Sequence, residues 1–299
     1  MSAPTVVFAT CLAMPDMQPD DAPLADALRA DGVDVATAPW NGPFEPFAAA
    51  EVVAVRSPWD YAEAPHDFLR WLQRLEDHGA VTGNSCALMR WNARKSYLLE
   101  LAERGAPLLP TIAVRADARE VANALAALDV DEAVVKPQFG AGASGLTIAQ
   151  RGDDASCAQA AARLGGDGIV QPLITEIAAR GETSLTFFAG EFSHAVVKRP
   201  AAGSILVQAE HGGSVEAAVP AAEVVQTARD VLSLLPEEPL YARVDLVLAA
   251  AGPILMEVEL IEPELFLRFD ARAATRFAAV LNPVRLRRFL NNRPRAGDC

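Results

Sequence analysis

The chain has 299 residues, 51% hydrophobic and 22% charged, as in an ordinary soluble globular protein of roughly two domains. Its 39 acidic residues outnumber 26 basic ones, and the formal charge of −13 argues against nucleic acid or an anionic membrane surface as a partner. No uncharged apolar run approaches the ~18 residues of a spanning helix, and the first basic residue is Arg29, so neither a membrane span nor a secretory signal is expected.

The first third alternates short apolar strands with helices. Val6 to Ala9, Val33 to Val35 and Val52 to Val55 read as strands, and Pro23 to Ala30 as a helix closed by Gly32. That order predicts a parallel sheet with crossovers, whose ligands bind beyond the carboxyl ends of the strands. The segment Arg56-Ser57-Pro58-Trp59-Asp60-Tyr61 falls in that position. Arg56 and Asp60 are candidate substrate contacts, because a zwitterionic amino acid needs one partner of each sign. Trp59 and Tyr61 are expected to pack under the cleft.

One helix is predicted from Asn84 to Arg104, carrying Lys95 and stopped by Gly105. Asp117 and Glu120 form a D-x-x-E variant of the capping box before a helix with Val121, Leu125 and Leu128 on one face. The pattern then changes to strands at Ala133–Pro137, Leu146–Ala149, Gly168–Pro172, Thr183–Ala189 and Phe192–Val197, joined by hairpin-sized gaps. This half is expected to be antiparallel α+β. A helix over Glu223–Leu235, strands over Tyr241–Leu248 and Ile254–Leu260, and a last helix over Ala271–Leu290 complete the chain. Four scattered cysteines without C-x-x-C spacing fit free thiols in a reducing cytoplasm.

Gly140-Ala141-Gly142-Ala143-Ser144-Gly145 matches G-x-G-x-x-G. A dinucleotide site needs a strand before that loop and a helix after it. Here a strand-like segment follows, so the loop reads as a hairpin flap whose backbone N–H groups cover phosphates, with Lys136 on the strand before it. Arg243 and Asp245 share one face of a strand, and Glu257 and Glu259 share one face of the next. Three crowded carboxylates are costly without cations, and magnesium with phosphate oxygens would compensate them.

Lys95, Lys136, the glycine hairpin, a hinge at Val170-Gln171-Pro172-Leu173-Ile174, Arg243-x-Asp245 and Glu257-x-Glu259 together resemble the ATP-grasp superfamily over residues 84–290. The resemblance implies an α/β and α+β chain: a Rossmann-like domain at 1–88, a small ATP-grasp subdomain at 89–170 and a C-terminal subdomain at 171–299. It implies ATP as co-substrate and two Mg²⁺ ions on Asp245, Glu257 and Glu259, although the common motif ends in Asn where Glu259 stands. Lys95, Lys136, Gly140, Gly142, Ser144 and Gly145 would hold the phosphates. Gln171, Leu173 and Ile174 would hold adenine, and Glu182 or the competing Glu176 the ribose. Lys136 and Arg243 would be catalytic. Within the superfamily, Arg56 to Tyr61, Gly181 to Ser184 and Lys198-Arg199-Pro200 resemble the cyclo-ligases of D-cycloserine biosynthesis. Lys198, at the end of a strand, and His211 with Gly212, in a glycine-flanked loop, are further candidate substrate contacts, and the likeness implies ring closure of O-ureido-D-serine through an acyl phosphate. The alternative is an intermolecular carboxylate–amine ligase of dipeptide or D-amino-acid type. The partners are then ATP and a small amino-acid-like molecule, in the cytoplasm, with homo-oligomerisation left open.

Overall fold

The computed structural model describes residues 4–140, 145–201, 207 and 212–291. The first elements are β1 (Thr5–Thr10), α1 (Ala22–Ala30), β2 (Asp34–Pro39), α2 (Glu45–Ala49), β3 (Val52–Val55) and α3 (Pro65–His78). The three strands form a parallel sheet in the order β2-β1-β3. Both faces are covered, which is why β1 and β3 are unbroken apolar runs. Val6, Phe8, Val52 and Ala54 turn toward Leu24 and Leu28 of α1. Val7, Ala9, Val53 and Val55 turn toward Phe68, Leu72 and Leu75 of α3.

The helix expected over 84–104 is two helices, α4 (Cys86–Asn92) and α5 (Tyr97–Glu103). The break has a specific cause. The Lys95 backbone N–H donates to the Gln138 carbonyl (2.9 Å) and that of Ser96 to Gln138 Oε1 (2.7 Å), instead of to the preceding helical turn. Lys95 is thereby tied to the end of the strand that carries Lys136.

Next come β4 (Ile112–Val114), α6 (Ala118–Leu128), β5 (Glu132–Pro137), β6 (Thr147–Gln150), α7 (Asp154–Leu164) and β7 (Gly168–Pro172). Their strands form an antiparallel sheet in the order β4-β7-β5-β6, with α6 and α7 packed on it through Val121, Leu125, Ala160 and Leu164. Asp117 caps α6 by accepting from the Arg119 and Glu120 N–H groups. The other half of the capping box is not made. The Asp117 N–H already donates to the Arg115 carbonyl (2.7 Å), and Glu120 accepts the Arg115 N–H instead.

The remainder is α8 (Glu176–Arg180), β8 (Glu182–Phe188), β9 (Glu191–Arg199), β10 (Ser214–Ala218), α9 (Ala222–Ser233), β11 (Tyr241–Ala249), β12 (Gly252–Glu259), α10 (Ala273–Leu281) and α11 (Pro283–Asn291). Five strands form an antiparallel sheet in the order β10-β9-β8-β11-β12. The single last helix expected over 271–290 divides at Asn282, because Pro283 cannot donate to the preceding turn and starts a new helix. Among the described residues, no helix is long and apolar enough to cross a membrane.

The first and third sheets share one core. Phe188 stacks on Phe277 (centroids 4.7 Å apart), and both join Leu240 and Tyr241 against Phe8 and Leu24. Buried polar groups fix the contact. The Asn84 amide donates to the Tyr241 and Leu260 carbonyls (2.8 and 2.7 Å) and accepts from Leu240 N–H (2.7 Å). Arg56 is 1% exposed, donates through Nη2 to Asp21 (3.0 Å) and to the Pro263 carbonyl (3.1 Å), and lies over the Tyr241 ring. Breaking a buried pair leaves an uncompensated charge. Arg56→Ala should therefore lower the unfolding free energy by about 3–5 kcal/mol in urea titration. An unchanged urea midpoint would remove Arg56 from the fold's framework.

Candidate active site

A cavity of about 560 Å³ lies between the four-stranded and five-stranded sheets, with Trp59 and Tyr61 reaching it from the N-terminal unit. Its floor is the β11–β12 hairpin. The register sets Arg243 opposite Glu259 and Asp245 opposite Glu257, and it shifts between Asp245 and Leu246. β12 is an edge strand, and side chains from α4 and α5 satisfy its outer backbone groups. Asn92 donates to the Val258 carbonyl (2.8 Å) and accepts from Leu260 N–H (2.9 Å), while Tyr97 accepts the Val258 N–H (2.9 Å). These bonds hold the acid-bearing strand in place.

The carboxylates are not left to repel one another. Arg243 donates to Asp245 (Nε–Oδ1 3.0 Å), to Glu259, and to the Glu264 carbonyl (3.1 Å). Lys198 bridges Glu182 (2.5 Å) and Asp245 (3.1 Å). Lys95 pairs with Glu257. The compensation expected from magnesium alone is thus already supplied in part by protein cations. Lys136 differs. Its Nζ donates to Gln171 Oε1 (3.0 Å), and no carboxylate pairs with it among the described residues. Burial, and then Lys95 beside it, lowers its pKa.

Burial opposes ionisation of Asp245, but Arg243 and Lys198 outweigh it and hold the carboxyl below its ordinary range. For Glu257, Lys95 and Lys136 likewise overcome burial. Glu259 goes the other way: burial, with Glu257 and Asp245 close by, pushes it up to about 7 despite Arg243.

The expected residues divide clearly. Lys95, Lys136, Gly140, Gln171, Leu173, Ile174, Glu182, Lys198, Arg243, Asp245, Glu257 and Glu259 all wall the cavity. Arg56, Asp60, Gly145, Glu176 and Gly212 do not. Arg56 is consumed by Asp21 and the Pro263 carbonyl. Asp60 accepts from Trp40 Nε1 (2.6 Å) and Asn41 Nδ2 (2.8 Å), and so stays within its own unit. Glu176 opens α8 and is half-exposed. Gly145 takes a left-handed φ of 75°, and a Cβ there would lie 2.9 Å from Pro137 Cγ, so its role is to close the hairpin on β5. Gly142, Ser144 and His211 lie outside the described residues.

Gly181 matters indirectly. Its φ is 74°, and a Cβ would lie 2.5 Å from the Lys198 carbonyl, so only glycine lets β8 start close enough to β9 to pair Glu182 with Lys198. The sequence reading missed Glu262, which also walls the cavity and is 8% exposed. Its signal was the run Glu257, Glu259, Glu262, Glu264, which extends past the end of β12.

A strand lysine, a glycine hairpin, a helix-break lysine and an acid-bearing hairpin around one cavity between two antiparallel sheets define an ATP-grasp ligase. The D-alanine–D-alanine ligase of Bacillus anthracis shares the fold, with TM-score 0.71 over 98% of this chain and 100% of that one at 15% identity. That ligase is also known with ATP bound, and the ATP-grasp ligase PsnB with Mg and ADP. Residues 6–84 match the family described as D-cycloserine synthetase DcsG, N-terminal domain. The cycloserine biosynthesis protein DcsG of Streptomyces lavendulae is 35% identical over 284 residues, covering 88% of this chain and 92% of that protein. The crystal structure of D-cycloserine synthetase DcsG superposes with TM-score 0.84 at 31% identity, over 95% of this chain and 99% of that one. The chain belongs to the D-cycloserine synthetase family and is an ATP-dependent ligase.

Glu262 gives the site a measurable pH signature. Burial first, then Glu259, pushes its carboxyl up to about 8, from 4.5 in an unconstrained chain. The folded protein therefore retains a proton that the unfolded chain gives up, and the stability this contributes at low pH is lost between pH 4.5 and about 8. Glu262→Gln never ionises. Its stability relative to the parent should grow across that window, by on the order of a few kcal/mol, and level off above it. Parallel stability–pH curves for the two proteins would contradict the assignment.

Proposed function

We propose that the cavity binds ATP and O-ureido-D-serine and closes the latter into D-cycloserine. The observation that carries this reading is the charge arrangement at the β11–β12 hairpin, combined with the family membership. The substrate carboxylate attacks the γ-phosphorus of ATP, and ADP leaves. The ureido nitrogen bonded to oxygen then attacks the acyl carbon, and phosphate departs. The carbamoyl group is lost as CO₂ and NH₃, with one water consumed.

Several residues support these steps. Ile174, Ile177, Met256 and Leu109 form an apolar side of the cavity suited to adenine, with Leu173 beside them. Glu182 lies on the cavity wall where a ribose hydroxyl could donate to it. Among the described residues Lys136 has no carboxylate to release before it meets a phosphate, and Lys95 lies next to it. Arg243 would steady the anionic transition state at the transferred phosphoryl group.

The donor set fits magnesium. Asp245, Glu257 and Glu259 offer hard oxygens, although no three acids among the described residues gather as a self-sufficient metal cage. Magnesium commonly takes one or two carboxylates and completes its shell with phosphate oxygens and water. Six acids and four basic side chains wall the cavity, so polyphosphate alone would deepen its negative excess. Two magnesium ions on Asp245, Glu257 and Glu259 would supply the missing positive charge.

A tethered nucleophile has a high effective concentration and outcompetes water for the acyl phosphate. With O-ureido-D-serine as sole organic substrate, phosphate and cyclic product should therefore appear in equal amounts, and added free amines should leave the rate unchanged. Phosphate release that requires a second amino acid and yields a linear amide would replace ring closure with intermolecular ligation.

A further inference from the structure

Charge pairing in the cavity leaves one acid over. Glu182 and Asp245 have Lys198, Asp245 and Glu259 have Arg243, Glu257 has Lys95, and Glu264 has Arg268. Glu262 has no ion-pair partner among the described residues, although it is 8% exposed. The Tyr61 hydroxyl lies close enough to the carboxyl to favour its charged form. Unpaired, this buried acid keeps its proton rather than bear the cost of an isolated charge, and an arriving cation would favour its ionised form.

The backbone directly after Glu262 is anchored. The Pro263 carbonyl accepts from Arg56 (3.1 Å), and the Glu264 carbonyl from Arg243 (3.1 Å). The loop that carries the carboxyl group is therefore held in place before any ligand arrives, which is what a recognition group requires. Trp59, 38% exposed, and Tyr61 wall the cavity beside it. Aromatic faces favour an organic cation, whereas a hard divalent ion seeks more oxygens than this corner offers.

We propose that Glu262, with Trp59 and Tyr61 beside it on the cavity wall, binds the α-ammonium group of the amino-acid substrate. The proposal rests on the reading of the substrate as an amino acid. It moves the acidic substrate contact from Asp60, which Trp40 and Asn41 occupy, to the loop after β12. The Arg56 guanidinium then serves the substrate only indirectly, by fixing the Pro263 carbonyl.

The test compares kcat/KM for O-ureido-D-serine and for its analogue lacking the α-amino group, in the parent protein, Glu262→Gln and Tyr61→Phe. The parent should prefer the amine-bearing substrate by about 100-fold or more. Glu262→Gln should reduce that preference to within several-fold, with the change in KM for the amino acid and the KM for ATP unaltered. Tyr61→Phe should fall between the two. A parental preference retained in Glu262→Gln overturns the proposal, as does an equal loss on both substrates or a raised KM for ATP. Should Glu262→Gln not fold, an undiminished preference in Tyr61→Phe overturns it. If the parent does not turn over O-ureido-D-serine, the cyclo-ligase reading fails separately. The same comparison is then made with whichever amino acid supports phosphate release and its desamino counterpart.

Discussion

Six carboxylates and four basic side chains share one cavity, and none of these charges is stable there alone. Their pairing organises the floor of the site. Arg243 is shared between Asp245 and Glu259, Lys198 between Asp245 and Glu182, and Lys95 reaches Glu257 from the helix break. Each cation that could meet a phosphate, Lys136 excepted, must first loosen its hold on an acid. Each acid that could meet magnesium is likewise held by a cation. On the function proposed, ATP and magnesium arriving together would exchange these internal pairs for ligand pairs with little change in total charge balance, which neither would achieve alone.

That exchange requires a frame that does not move with it. The frame is built from uncharged or fully buried contacts: Asn84 on Tyr241 and Leu260, Asn92 and Tyr97 on the outer edge of β12, and Arg56 on Asp21. Tyr241 adds two more bonds, to the Val55 and Ile261 carbonyls. The N-terminal sheet is thereby joined to the sheet that carries the acids, and Trp59 and Tyr61 become part of the cavity wall. The two units share a core through Phe188, Tyr241 and Phe277, which would bring the proposed substrate contacts and the proposed phosphoryl site together.

The strands were legible because their periods are short and their apolar runs dense: Val52–Val55 and Gly168–Pro172 fall where the sequence placed them. The same-face pairs Arg243/Asp245 and Glu257/Glu259 followed from the two-residue period, and the register brings them together. The break at Lys95 was not legible, since it depends on Gln138, 43 positions after it, whose carbonyl takes the helical N–H. α3 and α7 went unread although their signals were local. Phe68, Leu72 and Leu75 mark one face of α3, and Asp153 and Gly165 punctuate α7. Arg56 was read as a substrate contact because its position after β3 is where ligands bind. Its partner Asp21 is 35 residues away and gave no sequence signal.

The central claim is that this cavity activates a carboxylate with ATP. Isotope transfer tests it most directly. O-ureido-D-serine carrying ¹⁸O in both carboxylate oxygens is turned over with ATP, and the released phosphate and the cyclic product are weighed by mass spectrometry. Attack of the carboxylate on the γ-phosphorus predicts one ¹⁸O atom in each phosphate and one in the ring carbonyl. Unlabelled phosphate with both labelled oxygens lost to water or retained elsewhere would contradict an acyl phosphate, and with it the role assigned to the charged floor of the site.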